Sequence, residues 1–420
     1  MKSMLFAMTA TTALTAPPAF AVERAEVLDT YANIAAAGYA DSLTTAQALQ
    51  TAVDALLDQP SEATLQAART AWIAARVPYM QTEAYRFGNA IVDDWEGRVN
   101  AWPLDEGLID YVDATYGGAT DENEFAVLNV VANPSFTLSG EEVDASAITP
   151  ALLQDTLQEA DGVEANVATG YHAVEFLLWG QDLNGTDAGA GDRPWTDYAA
   201  GDDCTNGNCD RRGDYLRAVT DLLVTDLDEM AAAWADGGAA RTAVLADETA
   251  GISAMLTGMG SLSYGELAGQ RMKLGVMMND PEEEHDCFSD NTHMSHYYDG
   301  LGVQNVYLGS YTRVDGSTVS GPSLSDLVAQ ADPAIDAQLK TELEASVAAL
   351  AVIRDKAEAG MAYDQMLARD NTEGEALVMG AVDALVIQTR SIERAVAALD
   401  LNGIAVEGSD SLDNPNAVFQ

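Results

Sequence analysis

The chain has 420 residues, 48% of them hydrophobic, so it is long and apolar enough to bury the cores of roughly two or three ordinary domains. Its 67 Asp and Glu residues outnumber its 20 Lys and Arg residues, and the net charge of -47 excludes nucleic acid as a direct partner, because a phosphate backbone would be repelled. The acidic residues are dispersed along periodic apolar segments, which excludes a disordered chain and predicts a globular protein with a solvated acidic surface.

Residues 1–21 are organised like a cleavable signal peptide. Lys2 supplies a positive start, residues 4–16 form a mainly apolar stretch too short to span a bilayer, and the Ala-Phe-Ala sequence at 19–21 is a small-x-small cleavage site. We expect cleavage after Ala21. Because no later apolar run is free of charge, we predict no transmembrane segment in the mature chain and a periplasmic or secreted, cell-envelope location.

Helical periodicity dominates the rest of the sequence. Ala, Leu, Glu and Gln fill the periodic stretches and alternating strand patterns are almost absent, which predicts an all-α fold. Ser61, the Asp332-Pro333 pair and Gly403 supply helix start and stop signals. The predicted helices are, in chain order, 25–40, 43–57, 62–87, 150–159, 165–179, 212–234, 247–278, 333–359 and 373–400.

Two long segments rich in Gly and Asp, 180–213 and 280–323, are predicted as loops. A boundary within the first loop divides the mature chain into halves of similar size and helix content. We therefore predict two helical-bundle domains, each resembling a four-helix bundle, at 22–203 and 204–420. A diverged duplication would explain the two halves, although the sequence contains no exact internal repeat.

One face of the third predicted helix carries Trp72, Arg76, Tyr79 and Glu83, which are spaced i, i+4, i+7 and i+11. Two interpretations are open. In the first, the aromatic residues belong to the core, and Arg76 and Glu83 form an ion pair with each other or with neighbouring helices. In the second, Glu83 is an inward-facing metal ligand, and Arg76 orients a carboxylate or binds an anion.

All four histidines of the chain fall in two motifs. His172 lies in the sequence Gly-Tyr-His-Ala-Val-Glu, which ends at Glu175. The other three, between Glu282 and residue 296, are His285, His293 and His296. On a helix His172 and Glu175 share a face, so that an imidazole and a carboxylate could ligate one ion. The alternative for such a pair is a hydrogen-bonded histidine in the core.

The three cysteines separate into a pair and a single residue. Cys204 and Cys209 lie in one short polar segment, which in an oxidising compartment predicts a local disulfide. A metal site is the less favoured interpretation, since no second Cys or His pair follows at zinc-finger spacing. Cys287 is then a buried free thiol or a group close to the histidine chemistry.

The segment from Gly170 to Asp182, followed by residues 191–197, resembles the signature of the imelysin family. Members of this family are periplasmic and surface proteins classed among peptidases and also known as iron-regulated proteins. The similarity covers most of the mature chain and extends to residues 72–76, 81–88, 102–103, 204–216, 284–293 and 305–309. The resemblance implies a pair of helical bundles, an HxxE motif at the cleft between them, and a role in iron acquisition. Asp286 departs from the family pattern, in which a small hydroxyl residue is expected.

The sequence gives little support for proteolysis. A zincin needs His-Glu-x-x-His and its inverted form needs His-x-x-Glu-His, whereas Phe176 follows Glu175 here. His285 or His293 could supply a second histidine from the other half, so a zinc metallopeptidase is one alternative. Another is a module that binds polysaccharide or protein in the same cleft through exposed tryptophans, for which the candidates are Trp95, Trp102 and Trp195.

The sequence therefore predicts an exported protein that binds iron or a similar cation. The predicted ligands are His172, Glu175 and Glu83, and no catalytic residue is assigned. The residues predicted to line the surrounding cleft are Arg76, Arg193, His285, Asp286, Asp290 and His293. One imidazole among oxygen ligands suits iron and manganese better than a soft thiolate metal, with zinc and calcium as further alternatives. The predicted partners are the metal ion or its chelate and an iron-transport component of the cell envelope.

Overall fold

The computed structural model describes residues 21–120 and 123–419. The helices in these ranges are α1 Arg24–Asp58, α2 Glu62–Met80, α3 Ala90–Glu96, α4 Glu106–Ile109, α5 Pro150–Leu152, α6 Gly170–Trp179, α7 Cys209–Trp234, α8 Ala239–Leu245, α9 Glu248–Ser261, α10 Leu274–Met278, α11 Thr292–Leu308, α12 Leu324–Ala331, α13 Pro333–Glu358, α14 Tyr363–Leu367, α15 Thr372–Ala398 and α16 Asp410–Asp413. Turns of π-helix extend α5 over Leu153–Leu157 and join α9 to α10 over Leu262–Lys273.

Strands are confined to two antiparallel hairpins within the described ranges. In the first, β1 (Ser135–Leu138) pairs with β2 (Glu141–Asp144), so that Phe136 lies opposite Val143. In the second, β3 (Ser310–Thr312) pairs with β4 (Thr318–Ser320). The prediction of an all-α fold is confirmed, because helices form the core of the protein and the two hairpins are short additions to it.

Helices α1, α2, α6 and α7 pack together as a first bundle. One region of its core is aromatic: the rings of Tyr39 and Trp234 stack with their centroids 6.3 Å apart, and Trp95 meets Tyr39 edge-on at 5.9 Å. Such aromatic pairs add about 0.5–1.5 kcal/mol beyond the area they bury. All 10 residues of α6, which carries the HxxE motif, are buried in this bundle.

The continuous helical segment from α9 to α10 packs with α11, α13 and α15 as a second bundle. Its core includes the fully buried side chains of Met272, Val382 and Leu385. Because α11 also packs against α2, the two bundles share a contact surface. The segment that leads into α11 therefore lies where it can meet the first bundle.

The boundary predicted between residues 203 and 204 falls just before α7. This helix packs against α1 and α6, so packing associates a helix of the second predicted half with the first bundle. The division into two domains and the duplication remain predictions.

The predicted signal peptide lies outside the described residues, except for Ala21. Among the helices that the structure describes, none combines the length and the apolar character that crossing a membrane requires.

The predicted helices 25–40 and 43–57 are one continuous helix, α1, and the predicted break between them was wrong. The polar residues at the predicted break form hydrogen bonds without interrupting the helix. The Ser42 hydroxyl donates to the carbonyl of Gly38 at 2.9 Å, and the Asp41 carboxylate accepts from the Tyr311 hydroxyl at 3.0 Å. The helix therefore continues through Asp41 and Ser42, because Asp41 has a tertiary partner that the sequence does not reveal.

The third predicted helix, 62–87, ends at Met80 instead of continuing through Glu83. Pro78 removes one backbone donor near the end, and the Thr82 hydroxyl donates to the carbonyl of Tyr79, where it competes with further helical hydrogen bonds. Glu83 then lies in a short 3-10 turn, Glu83–Tyr85. The prediction that Arg76 and Glu83 share one helix face was therefore wrong.

The predicted loop 280–323 contains α11 and the second hairpin, and this part of the prediction was also wrong. The glycines of α11 lower its helix propensity, so the sequence does not indicate a helix, but they also allow it to pack closely against its neighbours. A Cβ atom on Gly302 would lie 2.7 Å from the carbonyl oxygen of Gln81, and one on Gly300 would lie 2.4 Å from Leu350 Cδ1. Close packing on both sides stabilises a helix that propensity alone disfavours.

The remaining helices agree in part with the periodicity. The predicted helices 247–278, 333–359 and 373–400 correspond to α9 through α10, α13 and α15, while α7 begins three residues earlier than predicted and α6 begins five residues later. The predicted helix 150–159 is α5 with its π-helical extension. Helices α3, α4, α8, α12, α14 and α16 were missed because each is too short to show helical periodicity in a window of about 11–18 residues.

Cys204 and Cys209 form a disulfide with an S–S distance of 2.01 Å, at the start of α7. We expect removal of this bridge in a C204S/C209S variant to lower the free energy of unfolding by only about 2 kcal/mol, because closing so short a loop removes little entropy from the unfolded chain. Urea unfolding followed by circular dichroism measures the change. Collapse of the helical signal without urea would contradict the expectation, since the contacts of α7 with α1 do not involve the bridge.

Candidate metal centre

Three side chains from two distant segments converge between the bundles. His172 of α6 and the neighbouring pair His285 and Asp286 each place one potential ligand atom within 4.8 Å of the other two. All three are buried, and His285 is the most exposed at 3%. The HxxE helix thus meets the loop that leads into α11 at one buried point.

The start of α6 is set by its contact with Val99. Gly170 has a φ of +81°, and a Cβ atom there would lie 2.5 Å from the Val99 carbonyl oxygen, so only glycine fits without a shift. The next residue, Tyr171, donates its backbone N–H to that carbonyl at 2.8 Å. This anchor explains why the helix begins at Gly170 and where it presents His172 two residues later.

His172 and Glu175 contact each other directly. Nδ1 of His172 lies 3.0 Å from Oε2 of Glu175, and both side chains are fully buried. The other oxygen of Glu175 accepts hydrogen bonds from the Ser289 backbone N–H at 3.0 Å and from its hydroxyl at 2.7 Å. The 284–291 loop therefore orients Glu175, which in turn orients the imidazole. Nε2 of His172 is buried and has no hydrogen-bond partner among the described residues.

Arg76 and Asp286 form a buried ion pair beside the histidines. Nη2 of Arg76 donates to Oδ1 of Asp286 at 2.8 Å, and Nη1 donates to Asn100 at 2.6 Å. The second oxygen of Asp286 accepts from Asn291 at 3.0 Å and from the Ser295 hydroxyl. Asp286 is thus the carboxylate that balances Arg76.

Burial decides the protonation of the two imidazoles. It lowers the pKa of His172 to about 3, with the nearby Arg76 acting in the same direction, and it lowers the pKa of His285 well below the usual value. Both rings are therefore neutral at ordinary pH and keep a lone pair for a cation. Burial has the opposite effect on Glu175: it raises the pKa of that carboxyl well above its usual range, and the charge of Asp286 adds to the rise.

An acidic cleft of about 750 Å³ leads from solvent to these residues. His285 lines its inner end beside Trp102, whose ring lies 5.1 Å from the ring of His172. The glutamates in its walls, Glu96, Glu159, Glu164, Glu266, Glu282 and Glu283, outnumber the arginines, Arg86 and Arg271. Walls of this sign attract cations toward the histidine site.

The family model for Imelysin, also designated Peptidase_M75, matches residues 35–392. The chain belongs to the imelysin family. Iron-regulated protein A of Synechococcus elongatus is 44% identical over 63 residues, a match that spans 15% of this chain and only 17% of that protein. The crystal structure of a protein named as an iron-regulated protein A precursor, from Parabacteroides distasonis, is similar with a TM-score of 0.62 at 19% identity, covering 89% of this chain and 96% of that one. At that identity the likeness shows the fold alone, while the family predicted from the HxxE segment is confirmed.

Glu83, predicted as a third ligand, lies apart from the other two in this imelysin chain. Its carboxylate accepts from Arg271 at 2.8 Å, and Arg271 also donates to Asp299 at 2.9 Å. Arg76 and Glu83 do not form the predicted ion pair with each other, because each has a different buried partner. The sequence carried no signal for Arg271, which is 188 residues from Glu83 along the chain.

Arg193 is also remote from the imelysin HxxE site. Its guanidinium donates to Asp110 at 2.7 Å and to Asp197 at 3.1 Å, in a separate buried cluster that includes Arg212. The prediction that placed Arg193 in the cleft was wrong. Arg193 fastens the segment between α6 and α7 to Asp110, which directly follows α4.

The other predicted cleft residues divide between different places. Asp290 lies with Asp182 and Asp364, away from the two clustered histidines, and His293 is half-buried on α11 outside that cluster. Asn100, Ser289 and Ser295, which hold the charged groups in position, were not predicted. Ser289 and Ser295 fall within the second histidine motif, but nothing in the sequence pointed to Asn100.

Two further candidates, Cys287 and Trp95, are buried. Cys287 is a buried free thiol whose pKa is raised well above its usual value, first by burial, so it has little thiolate character. Trp95 is 4% exposed and donates its indole N–H to the Asp226 carbonyl at 3.1 Å. A tryptophan in that position offers no platform for a polysaccharide, which removes one of the three aromatic residues on which a carbohydrate-binding cleft would depend.

Proposed function

We propose that this imelysin protein binds iron through His172 and Glu175, with His285 and Asp286 as further donors, and that it acts in iron acquisition in the cell envelope. The observation that carries the proposal is the convergence of two neutral imidazoles and Asp286 beside the HxxE glutamate. The iron would be cargo or a bound ion delivered through the acidic cleft, and an iron-transport component would receive it.

The spacing of the donor atoms supports the proposal. Nδ1 of His172 lies 3.0 Å from Glu175 and 3.9 Å from Oδ1 of Asp286, and Nδ1 of His285 lies 3.9 Å from the same oxygen. Ligands at about 2.0–2.2 Å from one ion are about 3–4 Å from each other. The buried Nε2 of His172, which has no hydrogen-bond partner among the described residues, is a further atom that could ligate the ion.

The cleft favours a free cation over an anionic chelate. Glutamates exceed arginines along its walls, so a negatively charged chelate would be repelled while a divalent ion would be attracted. Mixed nitrogen and oxygen donors suit iron, and manganese or zinc are the metals against which selectivity should be measured.

Iron binding is a better proposal than peptide hydrolysis. A metallopeptidase needs a carboxylate free to act as a base beside a metal-bound water. Here Glu175 is held by Ser289, and Asp286 is held by Arg76, Asn291 and Ser295. His285 does supply a second histidine near His172, but the two carboxylates in contact with this cluster, Glu175 and Asp286, are both engaged.

Metal analysis followed by titration tests the proposal. Protein purified without a chelator should contain iron, and the stripped protein should take up about one equivalent of Fe(II) under anaerobic conditions. Zinc and manganese serve as competitors in the same titration. A stripped protein that binds no iron at micromolar concentration would remove the proposed function.

A further inference from the structure

A second group of carboxylates lies beside the loop that carries His285 and Asp286. Asp182, Asp290 and Asp364 each place one carboxylate oxygen within 4.8 Å of the other two. They come from three separate parts of the fold, since Asp182 follows α6, Asp290 precedes α11 and Asp364 lies in α14. This arrangement brings three acidic groups together from the first bundle, the connecting loop and the second bundle.

Asp364 shows independently that a partner is missing from this group. The residue is 2% exposed, and neither of its carboxylate oxygens has a partner in good hydrogen-bonding geometry among the described residues. The nearby backbone N–H groups of Gln365 and Asp364 only partly offset the rise in its pKa that burial causes. Oδ1 of Asp290 is likewise buried and without a partner. Burying a carboxylate without a hydrogen bond or a counter-charge is strongly unfavourable, so these oxygens indicate a ligand.

Glu284 is a fourth carboxylate near this group, and the charges of Asp364, Asp290 and Asp182 act on it. It is fully buried, and neither of its oxygens has a partner in hydrogen-bonding geometry. Together with Asp182 and Asp364 it lines a small cavity of about 10 Å³. A cavity of this size has room for about one water-sized particle.

The electrostatics of the group are those of a cation site. Burial first, and then neighbouring carboxylates, raises the pKa of Asp290 to about 7 and that of Glu284 well above its usual value. Against this, the Thr292 hydroxyl lowers the pKa of Glu284. The charged groups that act most strongly on Asp290, Asp364 and Glu284 are all acidic.

The donor set selects the class of cation. Oxygen ligands without nitrogen or sulfur suit calcium or magnesium and offer little to zinc or copper. Calcium bonds at about 2.3–2.6 Å allow oxygens on opposite sides of the ion to lie about 5 Å apart, whereas the shorter magnesium bonds demand a closer approach. Three oxygens that lie within 4.8 Å of one another are all within about 2.8 Å of one common point, which is closer to the calcium bond length than to that of magnesium.

We propose that Asp182, Asp290 and Asp364, with Glu284, bind one calcium ion. The ion joins the end of α6 to α14 and to the loop 284–291. Asp290 directly follows Ser289, whose hydroxyl holds Glu175 of the HxxE pair at 2.7 Å. Calcium therefore orders the loop on which the histidine site depends. The calcium site consists of different residues from the proposed iron site and does not require that proposal to be correct.

Calcium titration of the stripped protein tests the proposal. Protein treated with EDTA and exchanged into calcium-free buffer should bind about one calcium per chain in isothermal titration calorimetry, more tightly than magnesium, and calcium should raise its Tm. Asp364→Asn and Asp290→Asn should each weaken calcium binding at least about tenfold. Asparagine tolerates the left-handed backbone of residue 290, where φ is 54°, so the second variant keeps its local conformation.

Two controls make the experiment specific. Asp370→Asn removes the same charge from an exposed position six residues from Asp364 and should leave calcium affinity unchanged. His172→Ala should also keep calcium affinity, because it changes only the histidine site. In calcium-free buffer Asp364→Asn should have a higher Tm than the wild type, since it removes repulsion among buried acids, and saturating calcium should reverse that order.

Three outcomes would overturn the proposal. One is the absence of calcium binding by the wild type at millimolar concentration. Another is binding that survives both Asp364→Asn and Asp290→Asn unchanged, which would place calcium elsewhere on the acidic surface. The third is loss of calcium binding in His172→Ala, which would assign the ion to the histidine site.

Discussion

Replacing His172 with alanine is expected to lower the affinity of the protein for Fe(II) at least about tenfold. His172 is the buried residue of the cluster that contacts Glu175 at 3.0 Å and lies 3.9 Å from Asp286, and its Nε2 has no partner among the described residues. Removing the ring deletes one metal ligand and leaves Oε2 of Glu175 without its hydrogen-bond partner. Competition with a chromogenic chelator under anaerobic conditions measures the affinity.

The matched control for this variant is His293→Ala. His293 belongs to the second histidine motif but is half-buried on α11 and lies outside the cluster, so its removal should leave iron affinity within about twofold of the wild type. Circular dichroism should show the same helicity for both variants. Equal affinity in His172→Ala, Glu175→Ala and the wild type would refute the HxxE pair as ligands, even if the protein still bound iron elsewhere.

Replacing Arg76 with methionine is expected to destabilise the protein by about 3–5 kcal/mol. Arg76 and Asp286 are 1% and 0% exposed, so the substitution leaves a buried carboxylate that has lost its counter-charge. Methionine fills much of the space of the arginine stem, which limits the effect of an empty cavity. Urea unfolding of the variant against the wild type gives the difference in free energy.

A surface pair supplies the control for this measurement. Arg217 and Asp54 lie 3.4 Å apart with side chains that are 45% and 54% exposed, so Arg217→Met should cost no more than about 1 kcal/mol. The double variant R76M/D286N should recover part of the loss, because it removes the carboxylate along with its partner. An effect of Arg76→Met as small as that of Arg217→Met would show that the buried pair does not hold the site together.

The pairing within the HxxE motif was predictable because it is local. His172 and Glu175 are three residues apart on one helix, and helical geometry brings such residues onto one face whatever surrounds them. The contact between Gly170 and Val99, which sets the start of that helix, joins segments that are far apart in sequence. The predicted start at residue 165 was therefore wrong while the predicted pair was correctly placed on a helix.

Charged partners were the least predictable feature. Arg76 lies 210 residues from Asp286, and Glu83 lies 188 residues from Arg271. On sequence spacing Arg76 and Glu83 could have paired with each other, but the helix ends between them and each is buried against a different segment of the chain. A buried charge pairs with the group that packing brings to it, so the partner cannot be read from spacing along one helix.

The helical class, the positions of most long helices, the imelysin family and the shared face of His172 and Glu175 could all be predicted from the sequence alone. These features depend on interactions within one or two helical turns or on motifs that survive as contiguous residues. Tertiary packing was needed to show that α11 exists within an apparent loop, that His285 and Asp286 approach His172, and that Asp182, Asp290 and Asp364 converge. These features depend on close packing between distant segments, where glycines permit helices to touch and burial chooses the partner of each charge.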